Sequence, residues 1–332
     1  MGDRMRILVA GGAGFIGSNS VHYALKKHPT YEIVVLDKLT YAGRRENLED
    51  IRDKITFTEG DITKRTDVAK AAKNCDAIMN FAAETHVDRS IIEAGTFVQT
   101  DVIGTYILLE CARESGISKF VQVSTDEVYG HIQKGSFKEN DVLNPRNPYA
   151  ASKAGAELLC KAYFETYGLP VVVTRGTNNY GPYQHPEKFI AKTITYALLN
   201  KHVPVYGTGI NVRDWLYVED HCAALDLVLH KGKNGETYNI ASKEEMENVD
   251  AAKTVLKLAD KPENLLKFVK DRPGHDLRYS LDTRKIESEL GWKAKVKFHE
   301  GIRKTIDWYA RNEQWWKPIL EKEQIDFYGK FS

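Results

Sequence analysis
The chain has 332 residues, 42% of them apolar, and its 47 basic and 46 acidic side chains leave a formal net charge of +1. That length suits one large domain or two modest ones, and so balanced a charge provides no electrostatic footprint for nucleic acid or an anionic membrane surface. No apolar stretch approaches a membrane span, and Cys75, Cys111, Cys160 and Cys222 are too widely spaced for a CxxC or metal grouping, so the expectation is a soluble, cytoplasmic protein with buried, reduced thiols and no metal.

In chain order, short apolar runs of strand character fall at 6–10, 32–36, 55–59, 77–81, 119–124 and 170–174, separated by helical periodicity at 15–27, 67–72 and 100–115. Alternation of this kind predicts an α/β fold: a doubly wound parallel sheet, Rossmann-type, with ligands at the carboxyl ends of the strands. Past Thr177 the pattern loosens. Residues 178–183 carry turn chemistry, and Pro204, Gly207 and Gly209 bracket a short strand. A helix is expected over 215–229 and a strand over 237–240 that returns to the main sheet. Residues 1–182 plus 214–246 then form the dinucleotide-binding domain, and 183–213 plus 247–332 a second, smaller mixed α/β domain.

Directly after the first strand comes Gly11-Gly12-Ala13-Gly14-Phe15-Ile16-Gly17, which opens the first helix. Glycine there permits a tight turn and close approach of the backbone to a pyrophosphate, which rests on the N–H groups of the helix N-terminus. Asp37 closes the second strand where a carboxylate accepts bonds from the adenosine ribose and repels a 2′-phosphate, favouring NAD over NADP. Lys38, Arg44 and Arg45 keep NADP open, though surface charge accounts for both arginines equally. Asp61-Ile62, ending the third strand, either holds the adenine or simply terminates the strand.

Asn147-Pro148 reads as N-cap and N1 of a further helix, on which Tyr149 and Lys153 project from one face. A nearby ammonium is expected to lower the tyrosine pKa and make the phenol a general base for an alcohol. Upstream lies Ser124-Thr125-Asp126-Glu127. Adjacent carboxyls tend to split their pKa values, so one can act as acid while the other is a base. On an extended strand they point to opposite faces, so a shared site requires the strand to end near Thr125.

With these motifs, 37–43 (DKLTYAG), 82–90 (AAETHVDRS), 178–182 (NNYGP), 213–221 (RDWLYVEDH) and 271–275 (DRPGH), the chain resembles the extended short-chain dehydrogenase/reductases nearly end to end. Within them it is most similar to the nucleotide-sugar 4,6-dehydratases that act on dTDP-glucose. Asp126-Glu127 stands where the related 4-epimerases carry small apolar residues. The resemblance implies C4 oxidation with Tyr149 as base and Thr125 on the C4 oxygen, C5 deprotonation by Glu127, loss of the C6 hydroxyl with a proton from Asp126, and return of the hydride to C6. It also places Thr40, Phe81, Ala82, Ala83, Thr100 and Asn179 with Lys153 around NAD. Thr85, Asn178, Lys188, Phe189, Arg213, Asn248, Arg272 and His275 surround the nucleotide sugar, the two arginines suiting its diphosphate. Pro204 and Tyr206 lie near the base or merely pack. Gly176-Thr177 replaces the family's common Cys-Ser, a change expected not to touch the chemistry, and 241–247 lacks an expected glycine. A homodimer through the helices starting near Thr100 and Tyr149 is implied. UDP-glucose 4,6-dehydratase and UDP-sugar 4-epimerase are alternatives, as is an inactive NAD-sensing module.

Overall fold
The computed structural model describes residues 4–271 and 274–322. Seven parallel strands form the central sheet: β1 (Arg6–Ala10), β2 (Glu32–Asp37), β3 (Ile55–Glu59), β4 (Ala77–Asn80), β5 (Lys119–Thr125), β6 (Val171–Gly176) and, further along the chain, β10 (Thr237–Ile240). Between β6 and β10 come β7 (Asn178–Tyr180), β8 (Val203–Tyr206) and β9 (Val212–Tyr217), and after them β11 (Glu245–Glu247) and β12 (Leu266–Val269). The central order is β10-β6-β5-β4-β1-β2-β3, so the winding reverses between β1 and β4 and opens a crevice beyond their carboxyl ends.

Strand alternation divides the core. Ile7, Val9, Ile33, Val35 and Val121 pack on one face with Val21 of helix Phe15–Lys27 and Leu225 of helix Val218–Lys231. Leu8, Ala10, Val34, Leu36 and Phe120 pack on the other with Val68, Leu108 and Cys160 of helices Arg65–Ala71, Gly104–Ser115 and Pro148–Tyr167. Both faces are therefore apolar, which explains why these strands read as continuous apolar runs. All four cysteines are buried and free.

The second lobe has its own core, with Tyr180, Ile190, Trp215, Ala251, Ile302 and Trp316. Its three-stranded sheet, β11-β9-β7, straddles the boundaries expected at 182, 213 and 246. Residues 215–217 end β9 and the helix begins at Val218, so the helix expected from 215 starts three residues late. Trp-Leu-Tyr is an apolar run without a period, and burial against Phe189 and Phe298 decides for strand. The helix expected over 100–115 is interrupted by a π-helical stretch, Val98–Ile103, before Gly104–Ser115. No helix of the described residues is long and apolar enough to cross a membrane.

A buried ion pair joins the sheet to the helix Pro148–Tyr167. Arg175, on β6, donates through Nε (2.9 Å) and Nη2 (2.7 Å) to Glu157 Oε2, and both residues are buried. Removing one partner strands a charge in the interior. Glu157→Ala is expected to lower stability by about 3 kcal/mol, read as a lower urea midpoint; a change within error would show the pair to be dispensable.

Candidate active site
One cleft of about 300 Å³ lies at the switch point and gathers most of the expected residues. Its floor is the glycine loop. Gly11 has φ +74°, and a Cβ there would lie 2.5 Å from the Ala82 nitrogen, so only glycine lets β1 and β4 meet at this turn. Helix Phe15–Lys27 starts at Gly14 with no side-chain cap, so the first-turn N–H groups of a macrodipole meet a cleft lined by Phe15, Ile16 and Gly17. A diphosphate fits that chemistry.

Asp37, at the end of β2, accepts from Ala13 N and Leu39 N, both at 2.9 Å, which ties the ribose-side carboxylate to the loop. Lys38 pairs with Asp61 at 2.7 Å, and Thr63 donates to the same Asp61 through its backbone and hydroxyl. Arg44 and Arg45 pair with Glu46 and Glu59. Thr40, Ile62, Phe81, Ala82, Ala83, Thr100 and Asn179 line the same cleft. The residues thus fit a dinucleotide with an unphosphorylated ribose.

The other end of the cleft holds the acid pair. β5 ends at Thr125 and a 3-10 turn, Asp126–Tyr129, follows, as a shared site requires. Thr125 caps that turn by accepting from Glu127 N at 3.3 Å and donates to Asp126 Oδ1 at 3.2 Å, and Tyr149 lines the same end of the cleft. Asn147 caps helix Pro148–Tyr167 by accepting from Ala150 N at 2.8 Å, while its Nδ2 donates to Glu127 Oε2 at 3.0 Å. Asp126 is 3% exposed, and burial, reinforced by the Glu127 charge, pushes its pKa up to about 7. A proton on Asp126 near neutrality suits an acid.

The Tyr149–Lys153 pair departs from expectation. Burial, then the charges of Glu127 and Asp101, hold the phenol well above its ordinary range. Lys153, itself lowered by burial, donates to the Val123 carbonyl at 2.8 Å. The lysine therefore anchors the helix to β5, and burial and the neighbouring carboxylates, not the lysine, set the direction of the phenol's shift.

On the sugar side, Thr85, Asn178 and Lys188 line the cleft, and Lys188 Nζ donates to the Thr85 carbonyl at 2.6 Å. The Asn178 Oδ1 is buried with no hydrogen-bond partner, a polar atom aimed for a ligand. Phe189, Pro204, Tyr206, Arg213, Asn248 and His275 are not brought to the lining. Phe189 stacks on Trp215 at 5.8 Å, Tyr206 donates to Asp88 at 2.8 Å, and His275 contacts Asp271 at 2.7 Å. Arg213 donates to the Asp276 carbonyl at 2.9 Å and lies over the Tyr279 ring. Asn248 opens a helix with its Oδ1 buried and unpartnered, and Pro204 sits half-buried in β8. Arg272 lies outside the described residues.

Three residues of this region escaped the sequence. Thr177, at a position expected not to touch the chemistry, hydrogen-bonds Oδ2 of Asp126, the expected acid, at 3.0 Å. Asp101, from the π-helical stretch, accepts from Ser152 (2.5 Å) and Glu84 N (3.0 Å), and burial raises its pKa to about 6. His221, kept neutral by burial with a pKa near 4, holds the Asn179 side chain at 2.9 Å. Elsewhere His28, Asp226 and His230 converge within 4.8 Å, with Lys27 on the same carboxylate.

A parallel sheet with a glycine loop at its switch point, and a Tyr/Lys helix beside it, defines a nucleotide-dependent enzyme of the short-chain dehydrogenase/reductase class. More narrowly, the GDP-mannose 4,6 dehydratase family model matches residues 8–305, and the chain belongs to that family. It is 46% identical over 327 residues to the dTDP-glucose 4,6-dehydratase of Mycobacterium tuberculosis, covering 97% of this chain and 98% of that protein. It is 49% identical over 312 residues to the low-salt glycan biosynthesis protein Agl12 of Haloferax volcanii, covering 93% and 100%. Among solved structures, DesIV, a dTDP-glucose 4,6-dehydratase from Streptomyces venezuelae with NAD bound, superposes with a TM-score of 0.92 at 48% identity, covering 95% of this chain and 100% of that one.

Asp126 carries a stability consequence. Its pKa rises from 3.8 to about 7 on folding, so the neutral form stabilises the fold fully below pH 4 and that contribution is lost as pH rises through 7. Asp126→Asn is expected to gain stability over the parent between pH 4 and 8, by on the order of 2–4 kcal/mol. Denaturation midpoints of both proteins across that range check it; a constant difference would place the Asp126 pKa near its ordinary value.

Proposed function
We propose that the protein is a nucleotide-sugar 4,6-dehydratase, an NAD-dependent hydro-lyase converting dTDP-glucose to dTDP-4-keto-6-deoxyglucose and water. The observation that carries this reading is the meeting of Thr125, Asp126, Glu127 and Tyr149 in one cleft. The relatives named for dTDP-glucose support that nucleotide over UDP-glucose. NAD, when bound, supplies the hydride acceptor for C4 and the donor for C6, and its positive charge opposes the carboxylates around the phenol. The glycine loop and the free N–H groups of helix Phe15–Lys27 hold its diphosphate, and Asp37 its ribose.

The side chains then divide the proton work. Thr125 and Tyr149, at the same end of the cleft, share the C4 oxygen, and Tyr149 takes its proton. A C4 ketone acidifies C5–H. Glu127, steadied by Asn147, removes that proton, and Asp126 protonates the departing C6 oxygen. Lys153 uses one of its three donors on Val123, which fixes the ammonium beside the cofactor. Arg213 and His275 serve the nucleotide sugar from the second lobe, divided from the first at residues 182, 213 and 246, and Arg272 is assigned to the same task from its sequence alone. Free, buried cysteines support a reducing, cytoplasmic setting. Exposed Tyr106, Leu158 and Tyr167 on helices Gly104–Ser115 and Pro148–Tyr167 support a homodimer through those helices.

The purified protein is expected to remove one water from dTDP-glucose without added reductant, with NAD acting catalytically; mass spectrometry of the sugar reads this, and a product isomeric with substrate would indicate an epimerase. Tyr149→Phe should cut turnover by about 100-fold or more while NAD and substrate binding persist. Near-normal turnover in that variant would remove Tyr149 from the mechanism. In heavy water Glu127→Gln should lose C5 hydrogen exchange, whereas Asp126→Asn should keep exchange and lose dehydration; the opposite pattern would swap the two roles.

A further inference from the structure
The Thr177 hydroxyl carries one proton and faces two oxygens, the Asp214 main-chain carbonyl at 3.0 Å and Asp126 Oδ2 at 3.0 Å. A carbonyl oxygen only accepts. Asp214 cannot move away from it, because its carboxylate is gripped by Ser242 N (3.0 Å), Ser242 Oγ (2.5 Å) and Lys243 N (2.8 Å). Thr177 is 5% and Asp126 3% exposed, so each has few contacts with solvent. With its proton given to Asp214, Thr177 turns a lone pair toward Oδ2. A carboxylate would meet that lone pair unfavourably, whereas a carboxylic acid donates to it.

The charges facing Asp126 do not settle its state on their own. Glu127, on the same turn, disfavours ionisation, as does any phenolate on Tyr149 from helix Pro148–Tyr167. Arg213, on β9, favours ionisation, but its guanidinium is held by the Val212 (2.8 Å) and Asp276 (2.9 Å) carbonyls and lies over Tyr279. A hydroxyl that donated to Oδ2 would side with Arg213; one that accepts from it sides with Glu127. The Asp214 carbonyl, which can only accept, competes for that proton at the same 3.0 Å.

We propose that Thr177 is a positioning residue for dehydration: with its own proton committed to the Asp214 carbonyl, it accepts the Asp126 proton and so stores that residue as an acid until substrate arrives. The proposal rests on the reading of Asp126 as the C6 acid. In the elimination, Glu127 takes the C5 proton and the C5–H electron pair becomes the second bond of a C5=C6 double bond. The C6–O bond breaks, and the oxygen leaves as water with the Asp126 proton.

Thr177→Val keeps the side-chain shape and removes the acceptor oxygen, Thr177→Ala removes it without any bulk, and Thr177→Ser retains it. Infrared difference titration of the ligand-free protein, with Asp126→Asn identifying the carboxyl band, reads the Asp126 protonation directly. The valine and alanine variants should lower that pKa by about one unit, a tenfold loss of the acid form above it, while serine leaves it unchanged. With dTDP-glucose, the basic limb of the dehydration profile should move to lower pH in the first two variants, with C5 exchange retained. A pKa that rises, or stays put, in both variants overturns the proposal, since Thr177 would then be a donor or a packing group. Absence of dehydration in the parent protein would instead remove the C6-acid reading while the titration still reports on the Thr177–Asp126 bond.

Discussion
The relation between the proposed base and the proposed acids depends on one guanidinium. Arg175 leaves β6 and grips Glu157 on helix Pro148–Tyr167, while its Nη1 meets the Tyr129 hydroxyl (2.5 Å) and the Glu139 carbonyl (3.0 Å). Tyr129 ends the turn that begins at Asp126, and it donates in turn to Asn239 on β10 at 2.9 Å. The Tyr149 helix, the acid turn and two strands are thus referenced to a single buried cation. An ion pair in such a place gains little over apolar packing, because desolvation offsets the attraction. What it provides is direction: a planar fork with fixed donors orients several elements at once.

The cleft itself opposes stability. Asp126 and Asp101 are buried carboxyls with raised pKa values, and the Tyr149 phenol is held neutral between them and Glu127. None of this helps the fold at neutral pH, where each buried acid must either keep a proton or carry an under-compensated charge. The compensation comes from the two apolar faces of the sheet and from the aromatic core of the second lobe. Perturbed groups clustered at one end of a domain are where chemistry is to be looked for.

What could be read in advance followed local rules. The helix Phe15–Lys27 and the strand Thr237–Ile240 fall on the expected residues because glycine punctuation and apolar runs bound them. The N-cap at Asn147 was legible from its capping chemistry before Pro148, and the end of β5 at Thr125 meets the condition that a shared acid site set. Trp215–Tyr217 misled, since an apolar triplet carries no period and only its packing against Phe189 and Phe298 makes it strand. Asp101 lies within a helical pattern, and nothing nearby in sequence signals that a π-helical stretch lodges it against Ser152. Thr177 is separated by 51 residues from the carboxyl it contacts. Arg213 was expected at a diphosphate from the family resemblance and the bidentate chemistry of guanidinium, and its carbonyl partners were invisible. Motifs reveal residue types and order; which hydroxyl meets which acid is decided by strand register.

Asn147 serves two masters with the two ends of one amide: its oxygen caps the helix and its nitrogen steadies Glu127. Hydrolysis of that amide to aspartate would keep the cap but set a second carboxylate against Glu127, so chemical ageing at this one position would strike the base while sparing the helix. The usual route to such damage runs through attack by the following residue's main-chain nitrogen on the side-chain carbonyl, with loss of its N–H proton. Here the following residue is Pro148, which has no N–H to lose. The proline that starts the helix therefore also closes the ring-forming path by which its neighbour would decay, and lets a hydrolysable group stand beside the proposed base for the working life of the protein.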